Sequence, residues 1–268
     1  MAKVPAEEMD FFEKVGYVFS LWNESWEALK LNIWTFVVLY LIPLGLTMVL
    51  AMLYFIPFID AATGNDSFSA TSAVVVFFAT LLVIFVYIVI LPVVTLTQLE
   101  SAKGKKVSLD NMFNRGLKYL PACIIFSLVF MGAIGLPLLV SILLIPFVIG
   151  ILMLPLVVLW ATAISVFAML VPYIIINENL GGIAAIKKSI DIVKVKWQWV
   201  LAVYAVFLLV SFVSGFIPFI GYLISLAFGI VYFCMPAIVY VRHIADKPVA
   251  AKAEAKDEKA APKKQTAK

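Results

Sequence analysis

The residue types that usually carry enzyme chemistry are scarce in this chain. It has one histidine, His243, and two cysteines, Cys123 and Cys234, so clustered His and Cys ligands for zinc, haem or an iron–sulfur cluster cannot be assembled. A serine triad would need His243 and a glycine-flanked nucleophile, which is missing. The alternative for His243 is a side chain near lipid headgroups. We predict no cofactor, no metal site and no catalytic residues, and we interpret the cysteines as buried apolar residues.

The side chains most suited to binding are lysines. Four of them lie close together: Lys187, Lys188, Lys194 and Lys196. Apolar residues at helical spacing accompany them: Ile183, Ile186, Ile190, Val193 and Trp197. This pattern predicts an amphipathic helix in the plane of a membrane surface, with its lysines in contact with anionic lipid. Each lysine near such a surface contributes about 1 kcal/mol. Alternatively, the helix covers the end of a helix bundle and its stripe is core, and both interpretations can hold together.

Composition places these lysines beside a membrane. Of 268 residues, 64% are hydrophobic and 13% are charged, and four ranges contain no Asp, Glu, Lys or Arg: 31–59, 67–99, 119–177 and 197–241. One membrane-spanning helix needs about 20 apolar residues, so the first two ranges hold one span each and the last two hold two each. We predict six spans, at about 33–58, 70–98, 119–145, 150–176, 197–216 and 220–243.

The basic residues predict the orientation. Every lysine and arginine lies before the first span, after the sixth, or in the segments after the second and fourth, and the opposite loops near 59–69, 146–150 and 214–221 have none. Basic residues concentrate in cytoplasmic segments. We therefore predict a multi-pass protein of the cytoplasmic (inner) membrane, of prokaryotic type, with both termini in the cytoplasm.

The predicted fold is all-α: a polytopic integral membrane protein with six transmembrane helices and three in-plane amphipathic cytoplasmic helices. Residues 1–32 form the first amphipathic segment, with Phe11, Val15 and Phe19 on its apolar side and Glu13 and Lys14 on its polar side. The membrane domain covers 33–244.

A threefold internal repeat is a further hypothesis. The tripeptide Ile-Pro-Phe occurs three times, each time at the outer end of an odd-numbered span, and it places Pro57, Pro146 and Pro218 at repeated turns or hinges. The unit would be an in-plane helix, a span, a tight outer turn and a returning span. Independent drift toward Pro and Phe at membrane ends is the alternative.

The four charge-free ranges that hold the predicted spans also contain no histidine, which argues against proton-coupled transport and intramembrane proteolysis. We expect their Ser and Thr hydroxyls to bond within their own helices. Ten prolines lie in or beside spans; they either kink helices that pack normally or break helices around a midplane site.

The C-terminal segment 245–268 is rich in Ala and Lys and has no apolar stripe, so we predict a disordered cytoplasmic tail. It is either solvated or makes salt-sensitive, non-specific contacts with anionic lipid or nucleic acid. No specific nucleic-acid partner is predicted.

One stretch resembles a known family. Pro172 begins an aliphatic run that leads to Glu178, Gly181 and Gly182, an Ala-containing helix with Lys187, Lys188 and Ser189, and then the Trp-bearing start of a span. This resembles the membrane domain attached to some bacterial glycerophosphodiester phosphodiesterases and its stand-alone six-span relatives. The resemblance is strongest over 172–215 and weaker over 16–45. It implies a membrane-integral module without catalytic residues, because the chemistry of the fused enzymes belongs to a separate soluble domain.

Together these features favour a non-catalytic membrane scaffold or lipid-associated module, with membrane lipids as partners. A protein partner or homo-oligomer stays open. The alternative is a transporter or permease for a neutral or amphiphilic solute, suggested by the prolines and the repeat.

Overall fold

A computed structural model describes residues 9–62, 70–147, 149–215 and 232–245, and every regular element in these ranges is helical. The chain begins with two short helices, α1 (Phe11–Ser20) and α2 (Trp22–Leu31). Asp10 and Glu13 cap the N-terminus of α1 with a reciprocal capping box, in which each carboxylate accepts from the backbone N–H of the other residue. The amphipathic segment expected over 1–32 is therefore divided, with the buried Leu21 at the break.

Two long helices follow, α3 (Ile33–Ala62) and α4 (Ala70–Ala102), and they pack against each other. Pro57 lies inside α3, five residues before its end. The turn expected at this proline is not present, because the helix continues through it, as membrane helices can when neighbouring groups satisfy the freed carbonyl.

The next unit consists of α5 (Leu109–Gly116), a 3₁₀ turn (Leu117–Tyr119), α6 (Leu120–Leu143) and α7 (Ile149–Ala168). A second 3₁₀ turn, Ile145–Phe147, joins α6 to α7 and contains Pro146. A tight turn is therefore present at the second Ile-Pro-Phe. A Cβ on Gly150 would come within 2.2 Å of the Ser141 carbonyl oxygen, so only glycine fits this turn as built.

The fourth predicted span is broken. α7 ends at Ala168, and a separate helix, α8 (Val171–Glu178), carries the rest of it. Asn179 then adopts the left-handed conformation (φ 54°) that ends a helix.

The helix α9 (Gly182–Gly215) joins the predicted amphipathic helix to the fifth predicted span, with a kink at Lys196 where φ is −112° and ψ is 27°. The described chain ends with α10 (Met235–Val239) and a π-helical turn, Tyr240–Ile244. Four predicted parts lie outside the described residues: Pro218, the first half of the sixth predicted span (220–231), residues 1–8 of the first amphipathic segment and residues 246–268 of the tail.

Five helical segments of the described chain are long and apolar enough to cross a membrane: Ile33–Leu53, Val74–Ala102, Leu109–Leu143, Ile149–Glu178 and Gly182–Val210. Much of their surface is apolar and exposed; Leu152 is 71% exposed and Leu209 is 57% exposed. So much exposed apolar surface is characteristic of a membrane protein.

The buried core lies at one end of the bundle. All six residues from Val171 to Ile176 are buried, which makes α8 the centre of the core. Residues of α1, α2, α5, α10 and the adjoining ends of α3, α4, α6 and α9 surround it. The stretch that carries the family resemblance therefore begins in the best-packed part of the molecule.

Candidate functional site

The four lysines proposed to contact lipid differ in their surroundings. Lys196, at the kink in α9, donates to the carbonyl oxygens of His243 (2.9 Å) and Ile244 (3.2 Å). These carbonyls belong to the π-helical turn at the end of the described chain. Lys196 therefore ties α9 to that turn, and its half-buried position makes it a poor lipid contact.

Lys188 is also engaged, because its ammonium pairs with the Glu178 carboxylate at 2.5 Å. Lys194 makes only a loose pair with Asp191 at 3.7 Å, and both side chains are about 70% or more exposed (69% and 76%). Such exposed pairs contribute little. Lys187 is exposed. Lys187 and Lys194 are therefore the two lysines of this set that remain available to an external anion.

Both available lysines border an apolar groove. The groove encloses about 330 Å³ between α6, α7 and the first half of α9. Its lining includes Phe126, Phe130, Ile164, Phe167, Ile186 and Ile190. On α9, Lys187 directly follows Ile186, and Lys194 lies one turn beyond Ile190. The charged groups therefore lie along one edge of an otherwise apolar depression.

An unusual hydrogen bond lies at the far end of the groove. The Trp160 indole N–H donates to the Ala133 carbonyl oxygen at 2.9 Å. This carbonyl is four residues before Pro137, which lies inside α6 and has no N–H to donate to it. Trp160 therefore satisfies the backbone acceptor that the proline frees, and that acceptor belongs to Ala133, which lines the groove.

A close contact between α9 and α6 lies near the other end of the groove. A Cβ on Gly182 would come within 2.4 Å of the Ala122 carbonyl oxygen and 3.1 Å of the Ile125 Cβ. The neighbouring Gly181 has open space around it. Glycine at position 182 thus lets the start of α9 approach the first turns of α6.

A second cleft of about 480 Å³ lies between α2, the end of α4 and α10, and its lining includes Glu24, Glu27 and Arg242. Arg242 contacts Glu24, and Glu27 contacts Lys30, which lies outside the lining, at 2.7 Å. Each charged residue that lines this cleft therefore pairs with another residue of the chain.

Buried polar contacts hold this end of the molecule together, and the sequence reasoning did not identify them. Asn32 donates to the Ser101 hydroxyl (2.7 Å) and the Lys105 carbonyl (2.9 Å), and it accepts from the Val107 N–H (2.8 Å). The available signal was a single amide at the start of an apolar run.

Further polar contacts at the end of α4 involve Gln98 and the buried Glu100. Tyr173 donates to Gln98, which donates to the Phe233 carbonyl. Glu100 faces Lys105 at 3.2 Å and Arg115 at 3.7 Å. The contacts of Gln98 join segments that are distant in sequence, so no local pattern reveals them.

Lys14 departs from its expected exposed position. It is 5% exposed, its ammonium donates to the Met9 carbonyl and the Gln198 side chain, and it lies 5.7 Å from the Trp199 ring. It therefore fixes α1 to α9 instead of facing water.

The remaining polar groups fit structural roles. Six hydroxyls bond the carbonyl four residues earlier in their own helix, as expected: Thr47, Thr80, Thr95, Thr97, Thr162 and Ser165. His243 stacks on Trp199 at 4.1 Å and meets Tyr17 edge-on. Cys123 and Cys234 are buried and free. Within the described residues, no group of His, Cys, Asp and Glu could hold a metal ion.

Comparison with protein-family models, with curated proteins and with solved structures finds no match to this chain.

Proposed function

We propose that this chain is a six-span protein of the cytoplasmic membrane that acts without catalysis as a lipid-associated scaffold. One observation carries the proposal: Ile183, Lys187 and Lys194 share a face of α9, four and seven residues apart, and all three are exposed. An exposed face with apolar and basic side chains suits the boundary between acyl chains and anionic headgroups.

The placement of the other helices supports this proposal. In this proposal, the cytoplasmic surface holds the short helices α1, α2 and α5 and the first half of α9. Both termini face the cytoplasm. Each amphipathic segment precedes an apolar helix, and α3 packs on α4 as α6 packs on α7. This order supports the threefold repeat, although the first Ile-Pro-Phe is helical and the second forms a turn.

The resemblance to the membrane domain of glycerophosphodiester phosphodiesterases belongs to the same proposal. The residues that carry the resemblance form the buried α8 and the basic start of α9. A module of this kind would hold lipid or a partner at the membrane, with any chemistry on a separate protein.

The test compares two pairs of lysines with the same change in charge. Lys187→Gln with Lys194→Gln removes the exposed pair beside the groove, and Lys103→Gln with Lys106→Gln removes two charges from the loop between α4 and α5. Purified variants in nanodiscs of mixed phosphatidylglycerol and phosphatidylcholine are released and analysed by native mass spectrometry.

We expect the first variant to lose its preference for phosphatidylglycerol, by about fivefold for each lysine. The loop variant should retain that preference. Equal lipid retention by both variants and by the parent protein would contradict lipid association through α9.

A further inference from the structure

We propose that the groove between α6, α7 and the first half of α9 holds one acyl chain of an anionic phospholipid whose phosphate is bound by Lys187 and Lys194. This inference rests on the membrane placement proposed above and assigns that surface a specific ligand class.

The shape of the groove fits a chain that enters from the membrane surface. Along α6 it extends from Phe126 to Ala133, a rise of about 10 Å at 1.5 Å per residue. One leaflet of hydrocarbon is about 15 Å deep. The groove is therefore long enough for much of one acyl chain, and its deep end lies at Ala133, whose carbonyl oxygen accepts from Trp160.

The charge pattern selects the headgroup. Lys188 is neutralised by Glu178 and Lys196 is engaged with backbone carbonyls, whereas Lys187 and Lys194 are exposed beside the groove. A phosphate at the shallow end would accept from both ammonium groups. No other described residue that lines the groove is charged.

A phospholipid satisfies both parts of this surface at once. Acyl chains are as apolar as leucine, so the tail alone gains little selectivity by leaving the bilayer for the groove. The two lysines supply the selectivity, while the groove fixes the position of the chain. An apolar helix from a second copy of this protein would fill the groove but would bring no anion to Lys187, and Lys194 would keep only its loose 3.7 Å contact with Asp191.

The test uses phosphatidylglycerol with a photoactivatable diazirine in its acyl chain, and the matching phosphatidylcholine, in nanodiscs. Val129, which lines the groove and is 46% exposed, is replaced by Trp to fill it. Leu128→Trp is the matched control, since Leu128 is 61% exposed and lies outside the lining.

We expect phosphatidylglycerol to crosslink mainly to Phe126, Phe130 and Ile190. The crosslinks should fall several-fold in Val129→Trp and persist in Leu128→Trp. In the double variant Lys187→Gln with Lys194→Gln, phosphatidylglycerol and phosphatidylcholine should crosslink to the groove equally. Mapping the parent protein's crosslinks gives a result even where a variant fails to fold.

Crosslinks spread evenly over outward-facing residues of α7, such as Leu152 and Leu156, would overturn the inference. So would unchanged labelling in Val129→Trp, or a native dimer that Val129→Trp converts to a monomer. If the groove is unlabelled but the lysine pair still governs lipid preference, the specific site fails and the general lipid association stands.

Discussion

At the scale of single residues, the contact between Trp160 and Ala133 shows how this chain accommodates a proline inside an apolar helix. Pro137 removes one donor from α6, and the freed Ala133 carbonyl has no water available within hydrocarbon. The indole of a neighbouring helix supplies the replacement donor at 2.9 Å. Trp160 is 51% exposed, so packing alone does not account for a tryptophan at this position. The hydrogen bond to Ala133 supplies a second reason.

This pairing makes the effect of Trp160→Phe depend on Pro137. In the parent protein the substitution should cost about 1 kcal/mol of unfolding free energy, the usual size of such a bond between membrane helices. In a Pro137→Ala background the helix regains its own donor, and the cost should fall. A double-mutant cycle of unfolding in mild detergent measures the difference, with the change in ring packing common to both backgrounds. The same cost in both backgrounds would show that the hydrogen bond is not the cause.

Asn32 also satisfies backbone groups, at the end of the bundle that holds the buried core. Its side chain makes three hydrogen bonds that join the start of α3 to the end of α4 and the following loop. Asn32→Ala should cost about 1–3 kcal/mol, because the Val107 N–H and the Lys105 carbonyl lose a partner. Asn111→Ala on the exposed side of α5 is the control and should leave the thermal unfolding midpoint nearly unchanged. Equal midpoints for the two variants would contradict this role.

At the scale of elements, the four ranges without Asp, Glu, Lys or Arg located the long apolar helices, because charged side chains are costly in hydrocarbon. The kink in α9 falls at Lys196, next to the predicted start of the fifth span at 197. The break between α7 and α8 was not predicted, since Pro172 follows a run that is apolar throughout. Pro172 lies in the first turn of α8, where the missing N–H of a proline needs no partner, so this proline is a local signal for the start of α8.

The contact between α9 and α6 depends on one glycine. Gly182→Ala should push the start of α9 away from the Ala122 carbonyl and cost about 1–3 kcal/mol, as overpacking commonly does. Gly181→Ala offers a matched control in open space and should be neutral or slightly stabilising. Unfolding midpoints in detergent compare them. If both variants behave alike, the close approach does not constrain the bundle.

At the scale of the whole molecule, the sequence predicted a helical multi-pass protein, and the structure adds an asymmetry along the bundle. The packed core surrounds α8, whereas most large apolar side chains described in the opposite halves of α3 (as far as Leu53), α4 (from Val74), α6 and α7 are exposed. The lysine cluster was predicted as one binding surface. The structure divides it, because Lys188 and Lys196 have protein partners that only the tertiary fold brings near.

The proposed orientation rests on the distribution of basic residues and can be checked on intact cells. Single cysteines at positions 106, 187 and 66 are introduced after Cys123 and Cys234 are replaced by Ala. A membrane-impermeant maleimide should label position 66 from outside and should reach positions 106 and 187 only after the cells are opened. Labelling of position 106 or 187 in intact cells would reverse the proposed topology.

The most direct measurement of the central claim is the membrane depth of α9. A spin label at position 183, on the face shared with Lys187 and Lys194, is compared with one at position 106 in anionic vesicles, using oxygen and a water-soluble nickel chelate as relaxation agents. We expect the label at 183 to lie at the boundary between headgroups and acyl chains, rich in oxygen and shielded from nickel, and the label at 106 to lie in water. A label at 183 that is as accessible to nickel as the label at 106 would contradict a lipid-associated α9.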